Sequence, residues 1–227
     1  MILFLNRVKN VFRYGEFSPT STRISLIQNY KIFTKKSNTI FIHIPKTAGN
    51  SLQMGLFGAL SPGHVSVKDY MDYLGEKEYN SKFTFTIVRN PYDRLISSYN
   101  YIKSGGKSNR DLAYMKVVSK FKDFEDFVLN FFKQEEYMEI EHLIPQTYWL
   151  KDHSEKLNVK YIGKFEQLDV EFKHISEKIF PDKKLVLPKL NVTSNRFEQI
   201  YTKQMLEIVN EIYTDDFNSL GYMIIDK

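Results

Sequence analysis

Two short runs limit what this chain can become. Thr39-Ile40-Phe41-Ile42-His43-Ile44 and Phe83-Thr84-Phe85-Thr86-Ile87-Val88 are β-branched, aromatic and almost continuously apolar. Runs of that kind belong to strands covered on both faces, which is the condition of a parallel sheet. Each meets a helix start at once. Pro45 to Asn50 breaks the first, and Ser51 to Leu60 reads as a helix. Arg89-Asn90 ends the second, with Asn90 as N-cap, Pro91 at the first helical position and Asp93 three residues beyond the cap. Val159 to Phe165 reads as a third strand and Asp123 to Lys133 as a helix, while Lys103 to Arg110, around Gly105-Gly106, reads as a flexible loop. Phe172, Ile175 and Ile179 form one helical stripe and Tyr201, Met205, Ile208 and Ile212 another, both expected in the core. Strands alternating with helices, without a hairpin signal, predict an α/β fold whose central parallel sheet is flanked by helices.

At 227 residues the chain allows one large domain or two small ones. We expect an N-terminal arm over residues 1–36, containing the loop-like Ser18-Pro19-Thr20-Ser21-Thr22, and a single domain over residues 37–227. With 42% apolar and 15% aromatic residues, that domain can bury a core. Cysteine is absent, which removes disulfides, thiolate metal sites and cysteine nucleophiles together and favours a reducing compartment. The apolar opening Met1 to Leu5 is too short for a signal-peptide core or a membrane span, so the expectation is a soluble, cytoplasmic protein with no integral membrane segment. The net charge of +5 is carried mostly by scattered lysines, as on a solvated surface, and no nucleic-acid signature is present.

The turn after the first run has the makings of an anion site. A loop that leaves a buried strand and enters a helix presents free backbone N–H groups and the positive end of the helix dipole. Here Lys46 adds a charge, Gly49 permits close backbone approach, and Thr47, Asn50 and Ser51 bring hydrogen-bond donors. The alternative is an ordinary connection in which Pro45 and Gly49 only make the turn. It is not a Walker A loop, because the lysine opens the loop instead of closing it. Nor does the second strand end in an aspartate suited to Mg²⁺; it ends in Arg89. Two basic strand ends suit a ligand with two separated anionic groups and no metal between them.

The segment His43-Ile44-Pro45-Lys46-Thr47-Ala48-Gly49-Asn50-Ser51 resembles the 5′-phosphosulfate loop of the carbohydrate sulfotransferases. Arg89-Asn90-Pro91-Tyr92-Asp93-Arg94-Leu95-Ile96-Ser97 resembles their 3′-phosphate motif, with Arg and Ser eight residues apart. His142-Leu143-Ile144-Pro145-Gln146, Tyr161 to Glu166, Asp216-Phe217 and Leu220-Gly221-Tyr222 fit as well, so the resemblance covers residues 38–224. It implies a three-layer, P-loop-like fold and a catalytic domain that uses 3′-phosphoadenosine 5′-phosphosulfate (PAPS) as donor and no metal. Lys46, Thr47, Ala48, Gly49, Asn50 and Ser51 would hold the 5′ end, Arg89 and Ser97 the 3′-phosphate, and Asn191, with Ser194, would line the nucleotide from a late loop.

Gly63-His64-Val65-Ser66 is similar to the segment carrying the proposed base of the uronyl 2-O-sulfotransferases, although Pro62 stands where those enzymes have a second histidine. His64 lies just upstream of a helix that Ser66 and Asp69 would open as a capping box. The mechanism implied is in-line sulfuryl transfer to a hydroxyl of a carbohydrate or glycolipid, with His64 as base and Lys46 stabilising the leaving group. His43, inside its strand, is expected to pack or to support the site. Asp93 and Arg94 are expected to cap and pair at their helix start, with Arg94 near the anion site; His142 and Gln146 either face the acceptor or serve the interior, and Glu166 is open to a structural role. Two rivals remain at this level: a nucleotide-dependent kinase on a related fold, and a binding protein of the same fold without catalysis.

Overall fold

The computed structural model of the protein describes residues 27–28, 37–61, 63–188 and 200–226. Its centre is a three-stranded sheet in the order β1 (Thr39–Phe41), β2 (Phe83–Val88), β3 (Tyr161–Lys164), with both pairs parallel. All three expected strands are present. The apolar run of the first continues past β1, and Ile42 still donates its N–H to the Phe85 carbonyl. Register pairs Ile40 with Thr84 and Thr86 with Ile162. Buried Thr86 gives its hydroxyl to the Ile42 carbonyl at 2.8 Å and buried Thr84 accepts the Lys160 N–H at 2.9 Å, which explains two threonines in an otherwise apolar run.

Alternate residues of the strands face opposite layers, as the period of two requires. Phe41, Phe85 and Ile87 pack with Leu52 and Leu56 of α1 (Gly49–Phe57) and with Phe172 and Ile175 of α8 (Leu168–Ile179). Ile40, Ile42, Ile44 and Val88 pack on the other side with Val67, Tyr70 and Met71 of α2 (Val67–Leu74), Tyr79 of α3 (Glu76–Ser81), and Trp149 and Leu150 of α7 (Gln146–Leu150). The sheet is thereby flanked by helices on both faces. The predicted arm lies outside the described residues except for Ile27 and Gln28, and Ile27 is buried in this second cluster.

A third cluster joins α4 (Pro91–Lys103), α5 (Asn109–Val118), α6 (Phe124–Phe127), α9 (Lys203–Ile212) and α10 (Thr214–Leu220) beside the sheet. The helix expected over 123–133 is α6 followed by a π-turn at Val128–Phe132, which lets Phe127, Val128, Phe131 and Phe132 all reach the interior. Met205 is buried in α9 and Tyr201 just before it, together with Leu206 and Val209, while Ile208 and Ile212 are only half covered.

Two expectations change. The first helix starts at Gly49, two residues before the predicted Ser51, and ends at Phe57 with Gly58 in the left-handed region. The segment read as a loop over 103–110 is a tight turn from α4 into α5. The Asp111 carboxylate holds it, accepting from the N–H of Lys107 at 2.9 Å, the N–H of Ser108 at 3.0 Å and the Tyr101 hydroxyl at 3.0 Å. A Cβ on Gly106 would lie 2.3 Å from Asp111 Cβ, so the second glycine is there for close approach.

Candidate active site

The carboxyl ends of β1 and β2 open on a cleft of about 450 Å³. In an open parallel sheet this is the edge where ligands bind, because the helices that follow the strands point their N-termini at it. His43, Lys46, Ala48, Gly49, Asn50, Ser51, His64, Arg89 and Ser97 all line it, so both sequence motifs and the loop of His64 meet on one surface. Among the predicted site residues Thr47 is the exception. It is fully buried, and its hydroxyl donates to the Ile44 carbonyl at 2.9 Å, so it shapes the loop from inside. Asn191 and Ser194 lie outside the described residues.

The Lys46 loop is held in an unusual backbone. Lys46 and Ala48 have φ of 70° and 65°, in the left-handed region that L-residues rarely enter. Ala48 is the N-cap of α1 and gives its first turn no side-chain hydrogen bond. The helix end therefore faces the cleft uncapped, as an anion site needs. Gly49 has a reason beyond the ligand: a Cβ there would lie 1.9 Å from Cδ2 of His43. The imidazole occupies the space a side chain would take and supports the loop from beneath.

His43 itself is buried, stacked on Phe41 with centroids 5.6 Å apart. Ser61 Oγ donates to the Gly63 carbonyl at 3.0 Å and so accepts from His43 Nδ1 at 2.6 Å. Burial, with the neighbouring His64, holds the His43 imidazole well below its ordinary value, so it is neutral. This matches the supporting role expected of it.

Lys46 extends over the Tyr101 ring, 4.0 Å from its centroid. Burial first, and then the charges of Arg89 and Lys107, bring its ammonium down to about 8. Three cations crowded at one cleft are an arrangement that awaits an anion.

Arg89 is fixed from several sides. Its guanidinium lies 4.2 Å from the Phe165 centroid, and its backbone N–H and carbonyl are both taken by the side chain of buried Gln146, each at 2.8 Å. Gln146 and Thr147 in turn hang from Asp216, a fully buried carboxylate that accepts from both backbone N–H groups at 2.8 Å and from the Thr147 hydroxyl at 2.9 Å. Glu166 accepts the Asn90 N–H at 2.7 Å and the Tyr222 hydroxyl at 2.9 Å. Gln146 and Glu166 thus serve the frame of the Arg89 turn. Arg89 Nε, by contrast, is buried without a partner.

Arg94 departs from expectation. It does not pair at the helix start or approach the cleft; it is fully buried and donates to the carbonyls of His142 at 3.2 Å and Ile144 at 2.7 Å. One turn into α4 its side chain points into the interior, where the carbonyls of the 142–144 segment, which belongs to no helix or strand, supply the acceptors. Asp93 does line the cleft, and Asn90 does cap α4, accepting from the Tyr92 N–H at 3.0 Å.

His64 sits on the far wall, its ring 4.5 Å from that of His43 and 5.9 Å from Trp149. Ser66 and Asp69 form the expected capping box at the head of α2, which fixes where the His64 loop ends. Sequence reasoning missed Tyr101, Lys107 and Phe165 as cleft residues, and the carboxylates Glu141 and Asp111 behind it. Ser108-x-x-Asp111, a second capping box, was the one local signal that pointed to Asp111. Among the described residues no group of three or more His, Cys, Asp or Glu side chains could hold a metal ion, and no helix is long and apolar enough to cross a membrane.

No curated protein and no solved structure matches the chain. A family model does, described as the sulfotransferase family and matching residues 29–223, a span that includes every described cleft residue. With the two basic strand ends, the uncapped helix and the histidine facing them, the match covers the whole of the site: the chain belongs to the sulfotransferase family, whose members are transferases that move a sulfuryl group.

Proposed function

We propose that the chain transfers the sulfuryl group of PAPS to a hydroxyl of a carbohydrate or glycolipid acceptor, on a P-loop-like catalytic domain. The observation that carries the reading is the single cleft lined at once by the Lys46 loop, Arg89, Ser97 and His64. Two features suit the donor: the N-terminus of α1, which no side chain caps and which fits the 5′ end, and the unpartnered Nε of Arg89, which with Ser97 fits a 3′-phosphate.

In this reading the amides at Gly49, Asn50 and Ser51 and the side chains of Asn50 and Ser51 cradle the 5′-phosphosulfate, and Thr47 keeps the loop in shape. The acceptor oxygen attacks sulfur as the bond to the bridging oxygen breaks, and adenosine 3′,5′-bisphosphate leaves. Lys46 meets the charge that grows on that bridging oxygen. His64 takes the proton of the acceptor hydroxyl.

Thermal denaturation of the protein separates this from a magnesium-dependent kinase. Adenosine 3′,5′-bisphosphate at a hundredfold excess over its Kd stabilises the fold by about 2.7 kcal/mol without magnesium. Stabilisation by Mg-ATP alone would overturn the proposal. In a screen with labelled PAPS against a glycan panel, His64→Ala loses transfer by about a hundredfold or more and keeps its bisphosphate affinity. Full turnover in that variant would remove His64 from the chemistry, and no transfer by the wild-type chain would favour a binding protein.

A further inference from the structure

Behind His64 lies a pair of charged side chains that the reaction above does not use. Glu141 Oε2 stands 3.6 Å from His64 Nδ1 and 3.3 Å from Arg110 Nη1. Glu141 belongs to the segment before α7 and Arg110 to the first turn of α5, so two elements distant in sequence converge behind the loop of His64. We propose that Glu141 is the positioning residue of His64: its carboxylate accepts from the Nδ1–H and keeps the proton on that nitrogen, turns the other ring nitrogen to the acceptor hydroxyl, and is itself anchored by Arg110. The inference rests on the reading of His64 as the base.

Chemistry favours this arrangement. The two nitrogens of an imidazole are distinct, and the partner of one decides where the proton sits. A base must offer a lone pair to the incoming hydroxyl, so the proton of the neutral ring has to be held on the far side, and a carboxylate there also stabilises the imidazolium that forms. Distances near 3.6 Å in a free site commonly shorten when substrate closes it. Burial would raise the Glu141 carboxyl, but its interactions with His64 and with the Arg110 guanidinium overcome this and bring it down to about 2, so it is an anion across the working range.

The other titratable groups around His64 do not compete for this role. His43, at the end of β1, is tied through Nδ1 to Ser61. His142, whose ring is 6.1 Å from that of His64, has its Nε2 directed to Asp111 at 3.7 Å. Burial lowers the His142 imidazole, so it is neutral and offers no fixed charge. Lys46 lies across the cleft with its ammonium on Tyr101. Glu141 is the carboxylate that faces a ring nitrogen of His64.

The test reads the tautomer and the turnover of the full chain separately. Nitrogen-15 resonances of His64, assigned by their loss in His64→Asn, report which ring nitrogen carries the proton. The wild type holds it on Nδ1. Glu141→Ala releases it to Nε2 and lowers kcat by about tenfold or more, with the KM for PAPS unchanged. Glu141→Asp restores part of the turnover, and Glu141→Gln keeps the tautomer through its carbonyl oxygen but loses the charge, leaving kcat reduced. Should the alanine variant not fold, a glutamine variant with wild-type kcat overturns the proposal in its place. An Nδ1 proton and an unchanged kcat in Glu141→Ala overturn it outright. If His64→Ala is itself fully active, the base reading fails while the tautomer measurement still reports on Glu141, so the two failures are told apart.

Discussion

The two basic strand ends look alike in sequence and are built in opposite ways. At the end of β2 every backbone group of Arg89 is matched: Gln146 clamps its N–H and carbonyl, Asp216 holds Gln146, Glu166 holds Asn90, and Phe165 carries the guanidinium. At the end of β1 the backbone is forced through two left-handed residues into a helix with no side-chain cap, held from inside by the Thr47 hydroxyl and from beneath by a buried imidazole under Gly49. One end is a rigid prong that offers a side chain. The other is an open cradle that offers backbone amides and the Lys46 ammonium laid over Tyr101. Recognition of two anionic groups is thereby split between a frame tied by side chains and a helix start that no side chain caps, and of the two ends the left-handed backbone lies at the one where the transferred group would lie.

The largest effect is expected where the satisfied end is cut at its root. Asp216→Ala leaves the N–H groups of Gln146 and Thr147 buried without acceptors, and an orphaned buried donor costs far more than a lost contact. Urea denaturation should show a loss of about 3–5 kcal/mol, with most of the wild-type helix signal retained at low denaturant. A loss below 1 kcal/mol would mean that water replaces the carboxylate and that the Arg89 end is no more fixed than the other.

The open end breaks in a different manner, by crowding. Gly49→Ala puts a methyl where His43 Cδ2 lies 1.9 Å away. Alanine is the better helix residue by up to about 1 kcal/mol, yet the overpacking should dominate and destabilise the protein by about 2 kcal/mol. In a His43→Ala background the clash is gone, so the same Gly49→Ala change should become neutral or stabilising. Equilibrium unfolding of the four proteins in this double-mutant cycle reads the reversal of sign. Additive effects would show that the loop does not rest on His43.

Much of this contrast was legible before any coordinates. Apolar runs closed by Lys46 and Arg89 gave away both parallel strands and both anion-facing turns, because burial on two faces leaves a continuous signature and helix starts leave a local one. His64 was placed by the capping box at Ser66. What stayed hidden was whatever acts across the fold. Arg94 has the composition of a ligand contact and the position of a buried bolt, and only the packing of α4 against the 142–144 segment tells them apart. Glu141 adjoins His142, yet nothing in its neighbours shows that it faces His64, 77 positions earlier. The π-turn after α6 has no local marker either.

The smallest effect is a pH dependence that belongs to one end alone. Lys46 in the free site loses its proton at about 8, driven down by burial and by Arg89 and Lys107. A bound phosphate group restores the charge by raising the ammonium again, so above pH 8 binding must take up a proton. Affinity for adenosine 3′,5′-bisphosphate should then be flat in this group below pH 8 and fall by up to about tenfold per pH unit above it. Binding of the second phosphate at Arg89 contributes no such slope, because a guanidinium keeps its proton throughout this range. Lys46→Arg should therefore flatten the profile between pH 8 and 10 even if its affinity at pH 7 is lower. Titration calorimetry in two buffers of different ionisation enthalpy counts the proton directly. An uptake near zero at pH 9 in the wild type would place the ligand away from Lys46 and leave the Arg89 end as the whole of the anion site.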